Sequence, residues 1–155
     1  MPLPSTWDQP NEYFIPYRLL HLARMIERET TRDLQATCNL SAAEWQVLAL
    51  ACSYGDTSAA DVSASFGTDS AQVSRTVARM IKAGLIEREF GKNNRKEKRI
   101  TATGTGTALF ERARDRRQTY FSWILQDLSP EKRREFDNVV KLIALRVEAW
   151  PDDNG

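Results

Sequence analysis

Between residues 13 and 37 the apolar positions Ile15, Leu19, Leu22 and Ile26 recur at spacings of four, three and four, the period of a helix with one buried face. Pro16 falls in the first turn of that helix, where its missing N–H leaves no bond unmade. The dozen residues before it, with Pro2, Pro4 and Pro10, read as an irregular arm. The run LSAAEW marks a second start. Ser41 can cap, Glu44 can return the bond three residues on, and Leu40 can staple onto Trp45. The helix it opens is predicted over residues 42–52, and Ser53, Tyr54, Gly55 and Asp56 break it. Thr57 is expected to cap a short third helix over residues 58–65, after which Phe66 and Gly67 turn the chain. Asp69 or Thr68 opens a fourth helix, and Gly84 suits the left-handed position at its end. Two short helices joined by a brief glycine-containing turn form a helix-turn-helix pattern.

Plotted at roughly 100° per residue, the fourth helix divides into an inward stripe of Val73, Val77, Met80 and Ile81 and an outward face of Ala71, Gln72, Arg75, Ala78, Arg79 and Lys82. No acid interrupts that outward face. Beyond Gly84 the period becomes two: Ile86, Arg88 and Phe90 share one strand face, and Lys98, Ile100 and Ala102 share a face of a second strand. Gly91, Lys92, Asn93 and Asn94 supply turn residues between them, which predicts a β-hairpin with a basic tip rather than a linker. A long helix over residues 106–127 follows. The last helix opens at Ser129, Pro130 and Glu131 and places Phe136, Val139, Val140, Ile143 and Val147 along one side.

Charge sharpens this picture. The net charge is only +1, yet residues 1–68 hold four Lys/Arg against eight Asp/Glu, and residues 69–103 hold nine against four. Six of the twelve residues from 88 to 99 are Lys or Arg. An anionic partner is therefore expected to meet the middle of the chain. The length of 155 residues suits one compact domain, or a smaller one whose extra helices pair with a second copy. The N-terminus lacks the basic start and apolar core of a secretory signal, and the apolar run VLALAC is too short for a bilayer. A cytoplasmic protein without membrane partners is the expectation.

Candidate chemistry is sparse. Cys38 and Cys52 are too few for a disulfide framework, and an apolar helix around Cys52 would keep its thiol inert. His21 is the only histidine, so no metal site and no cofactor are expected. It has no recognisable triad partner, and no glycine-rich phosphate loop is present, which argues against an enzyme. Arg112, Arg114, Arg116 and Arg117 read as a solvated helix face or as ion pairs of a dimer.

The segments LSAAEWQVLALA, SAAD, DSAQVSRTVARMIKAGLIERE and RITATGTG, spread over residues 40–106, together resemble the MarR family of transcriptional regulators. The resemblance implies a mostly α fold with a small β-hairpin wing, an α+β winged helix-turn-helix flanked by N- and C-terminal dimerisation helices. It divides the chain into an arm and first dimerisation helix (1–38), a DNA-binding lobe (39–104) and C-terminal dimerisation helices (105–155). It further implies a homodimeric, sequence-specific, ligand-responsive repressor on a pseudo-palindromic operator of double-stranded DNA. The fourth helix would enter the major groove and the wing an adjacent minor groove.

The residues offer matching chemistry. Gln72 has an amide for adenine, Arg75 and Arg79 have guanidinium groups for guanine or phosphate, and Ser70 and Ser74 suit phosphate or base contacts. Lys92, Asn94, Arg95 and Lys96 would make the wing's contacts. Family wings commonly carry an Asp and an Arg two residues apart, where this chain has Asn94 and Lys96, so its wing is expected to supply mostly phosphate attraction. A winged helix that binds protein instead is the alternative, and its outward face would be apolar. Trp7, Tyr13, Phe14, Tyr17 and His21 read first as arm and dimer packing. The resemblance adds a pocket for a small aromatic or phenolic acid effector, lined by Tyr13, Tyr17, His21, Arg24 and Trp45.

Overall fold

Each helix begins and ends where local chemistry allows. The computed structural model describes residues 7–8, 11–55, 57–90 and 98–151, and of Glu89, Phe90 and Lys98 only the backbone. A 3-10 turn (Glu12–Phe14), capped by Asn11, leads into α1 (Ile15–Cys38), with Pro16 in its first turn. Helix α2 (Ala42–Tyr54) carries the predicted capping box: the Ser41 hydroxyl accepts from the Glu44 N–H, and the Glu44 carboxylate accepts from the Ser41 N–H at 2.9 Å. It runs two residues further than expected, to the left-handed Gly55. Helix α3 (Ala59–Phe66) is capped by Ser58, whose box is closed by Asp61, and not by Thr57. Thr57 is instead paired with Ile100, a bond between chain segments that no local pattern announces.

Helix α4 (Ser70–Lys82) starts at Asp69, whose carboxylate accepts the Gln72 N–H at 2.9 Å. Its end is a Schellman motif: Leu85 N–H donates to the Met80 carbonyl and Gly84 N–H to the Ile81 carbonyl, both at 3.0 Å. Gly84 sits at φ +71°, the left-handed region that favours glycine. The chain then enters β1 (Ile86–Phe90), which pairs antiparallel with β2 (Lys98–Ala102) in the register Ile86↔Ala102, Arg88↔Ile100 and Phe90↔Lys98. The expected face sharing therefore holds. Thr57 extends this hairpin on its β2 side: Ile100 N–H donates to the Thr57 carbonyl at 2.6 Å, and Thr57 N–H donates back at 3.4 Å.

Helix α5 (Gly104–Ile124) begins two residues earlier than the sequence pattern predicts and ends three earlier. Thr103 explains the start. Its hydroxyl accepts from the Gly106 N–H at 3.0 Å and donates to the Gly84 carbonyl at 2.7 Å, while its own N–H donates to the Leu85 carbonyl at 3.1 Å. One residue thus ties the end of α4, the foot of the hairpin and the first turn of α5. Thr103→Val keeps the shape but leaves the Gly84 carbonyl and Gly106 N–H unmet. It should destabilise the fold by about 1–2 kcal/mol in a urea titration.

The chain divides into two units, Met1–Asp115 and Arg116–Gly155. In the first, Leu34, Leu40, Val47, Leu48, Val62, Val77, Met80, Ile86 and Ile100 form the centre of the core, with Phe110 and Ala113 added from α5. The predicted stripe on α1 is only partly realised: Ile15 is exposed, Leu19, Leu22 and Ile26 are half-buried, and full burial begins at Thr30. In the second unit α6 (Pro130–Glu148) starts at Ser129 with Pro130 in its first turn, as expected. Every residue of α6 is exposed, including Phe136, Val139, Val140, Ile143 and Val147. Arg117 departs from the solvated reading. It is half-buried with its guanidinium 5.3 Å over the Phe121 ring, and burial holds its pKa below the usual value.

Candidate nucleic-acid interface

The site rests on how α4 is seated. Val73, Thr76, Val77 and Met80 are buried, the i, i+3, i+4, i+7 set of one helix face. Thr76, only 1% exposed, takes the inward place that the sequence pattern gave to Ile81, which is 37% exposed. Ser70, Ala71, Gln72, Ser74, Arg75, Ala78, Arg79 and Lys82 are all exposed. The turn ahead of α4 is fixed by the Thr68 N–H, which donates to the Ser63 carbonyl at 3.2 Å, and by the Ser63 hydroxyl, which donates back to the Thr68 carbonyl. The Thr68 hydroxyl reaches the Gln46 amide oxygen of α2 at 3.4 Å. This outward face is thus presented on a buried, capped and cross-braced helix.

Its electrostatics are uneven. Asp69, at the start of the helix, is engaged by the Gln72 N–H. Glu44 of α2 stands 3.8 Å from Arg79. Among the described residues no acid forms an ion pair with Arg75. On the hairpin Arg88 is exposed, while Arg99 is only 28% exposed and lies 3.7 Å from Asp61 of α3. Hydrogen bonds from the Ser58 hydroxyl and backbone, reinforced by Arg99, hold the Asp61 carboxyl below the ordinary carboxylate range. Lys92, Asn94, Arg95 and Lys96, the expected wing contacts, lie outside the described residues. The sequence pattern missed Arg99, Glu44 and Asp61 as parts of this region. Glu44 was read only as a cap and Asp61 was given no role, and their arginine partners are 35 and 38 residues away in the chain.

The five residues named for an effector pocket differ in their surroundings. Tyr13, Tyr17 and Arg24 are exposed, and the half-buried His21 meets Trp7 edge-on with ring centroids 6.1 Å apart. Trp45 stacks on Phe110 at 5.2 Å and packs against the core. A groove of about 560 Å³ on α5, lined by Gly104, Thr105, Ala108, Leu109 and Arg112, includes none of them. Cys38 is buried, and burial pushes the half-buried Cys52 thiol up despite a hydrogen bond with Thr107. Among the described residues no group of three His, Cys, Asp or Glu is placed to hold a metal, and no helix is long and apolar enough to cross a membrane.

Comparison with known proteins matches residues 39–97 to a model of the MarR family. No curated protein matches by sequence. Among solved structures, a MarR/EmrR family transcriptional regulator from Acinetobacter sp. ADP1 aligns with a TM-score of 0.76 at 20% identity, over 90% of this chain and 98% of that one. CouR from Rhodococcus jostii RHA1, bound to p-coumaroyl-CoA, aligns with a TM-score of 0.73 at 23% identity, over 84% and 91%. A mutant MarR from E. coli complexed with operator DNA aligns at 0.68 and 17%, over 86% and 98%. These likenesses establish the winged-helix fold.

Proposed function

We propose, on the match of residues 39–97 to the MarR family model, that this chain is a cytoplasmic, homodimeric, ligand-responsive repressor of that family on a pseudo-palindromic DNA operator. The observation that carries the reading is the outward face of α4, which presents Ser70, Gln72, Ser74, Arg75, Arg79 and Lys82 without an acid and is held on a buried, capped seat beside a basic hairpin. Gln72, Arg75 and Arg79 read base edges in the major groove, while Ser70 and Ser74 fix the register on phosphate. Lys92, Asn94, Arg95 and Lys96 supply the wing's attraction. A protein-docking face would be apolar here, and this one is not.

The dimer is favoured by the row of exposed apolar residues on α6, an arrangement a lone chain in water disfavours. Residues 1–38 and 105–155 serve pairing, and 39–104 serve DNA. Two recognition helices related by a two-fold then meet half-sites about 34 Å apart. The CouR relative's bound p-coumaroyl-CoA makes an aromatic acid, or its thioester, a natural effector class for Tyr13, Tyr17, His21, Arg24 and Trp45. Such a ligand would release DNA by favouring a different spacing of the two helices.

The test is selection of duplexes from a random DNA pool, followed by anisotropy titration of the winner against a scrambled competitor at several salt concentrations. The reading predicts a palindromic winner, tight binding that survives the competitor, and a steep salt slope. A pool that yields no preferred sequence sinks it.

A further inference from the structure

Two acids that close capping boxes also lie against arginines of the candidate interface. Glu44 takes the Ser41 N–H at 2.9 Å and the Ser41 hydroxyl at 2.7 Å on one carboxylate oxygen and turns the other toward Arg79 at 3.8 Å. Asp61 takes the Ser58 N–H at 2.7 Å, and the same oxygen stands 3.7 Å from Arg99. Arg79 belongs to the outward face of α4. Arg99 belongs to β2, directly before the Ile100 that Thr57 grips on both sides. In each pair the acid's rotamer is already fixed by its cap. It can therefore orient the guanidinium instead of following it.

We propose that Glu44 and Asp61 are positioning residues for DNA recognition, each holding the arginine of one DNA-facing element in the pose that meets the duplex. The proposal rests on the regulator reading above and deepens it. Each pair has one partner more than half exposed and a separation of 3.7–3.8 Å, so it contributes little to folding and its effect belongs to pre-organisation of the interface. Plain electrostatics predicts the opposite sign. An acid beside DNA repels phosphate, and removing it should tighten binding everywhere.

The sign of one measurement separates the two. Full-length Glu44→Gln and Asp61→Asn keep an amide oxygen for the cap and lose the charge. Each is titrated by anisotropy on the duplex selected by the wild-type protein and on the scrambled duplex, with a thermal melt alongside. The expected result is an unchanged melt, affinity for the selected duplex lowered about threefold to fivefold, scrambled affinity held or raised, and recovery in Asp61→Glu. Selected-duplex affinity that is unchanged or raised overturns the proposal. Should a melt fall, Arg79→Lys and Arg99→Lys are each measured alone and combined with the acid variant of the same pair, since they leave the caps intact and keep the charge but lose the planar fork. A combined loss smaller than the product of the two single losses supports the proposal, and independent losses overturn it. A wild-type protein with no sequence preference removes the regulator reading and this one together, a result distinct from indifferent variants of a wild type that binds.

Discussion

Replacing Gly106 by alanine should cost this protein about 3 kcal/mol and lower its melting temperature by about 6–12 °C. A Cβ at this position would lie 1.9 Å from the Leu85 carbonyl oxygen and 2.9 Å from the Leu85 carbonyl carbon. Both are backbone atoms, and neither is free to yield. Leu85 is held from two directions, by its N–H on the Met80 carbonyl and by its carbonyl on the Thr103 N–H. Relief would require α5 to lift away from the foot of the hairpin, which breaks the Thr103 bonds to Gly84 and Gly106. Thermal denaturation followed by circular dichroism measures the loss. A melt within a degree or two of wild type would mean that the close approach is not held.

Arg75→Ala should weaken binding to the selected duplex about 10- to 100-fold, the worth of a bidentate base contact. The melt should not move, because the Arg75 side chain is exposed on a helix whose core face is untouched. Among the described residues no acid forms an ion pair with Arg75, so its loss reports on the DNA contact alone. Binding to scrambled DNA should fall much less. Equal losses on both duplexes would assign Arg75 to phosphate rather than to a base.

What could be read from the sequence followed the range of the interactions involved. The capping box of α2 was legible because Ser41 and Glu44 are three residues apart, and the Gly84 terminus because its bonds close within six. The face shared by Ile86 and Arg88, and that shared by Ile100 and Ala102, were legible from the period of two within each strand, while the register between the strands was not. Thr57 was assigned the cap that Ser58 makes because its true partner, Ile100, is 43 residues away. Ile81 was placed inward from the helical plot because it is apolar, whereas the buried fourth member is Thr76, whose hydroxyl hid it from a search for hydrophobic positions. On the interface, the exposed positions of Gln72, Arg75 and Arg79 followed from helical period. The brace from Glu44 to Arg79 and the tight seat of Gly106 did not, since both depend on where separate elements come to rest.

The grip of Thr57 on Ile100 also bears on how the protein behaves when crowded. A two-stranded hairpin ordinarily offers two open rims on which a stray strand from another molecule can nucleate a fibre. Here Thr57 occupies both the N–H and the carbonyl of Ile100, so the rim of β2 is closed at its most apolar residue. The rim of β1 is left to Glu87 and Arg88, which are exposed and charged. The wing is thereby shielded from strand exchange at high concentration, and that shield lasts as long as the turn between α2 and α3 stays folded against it.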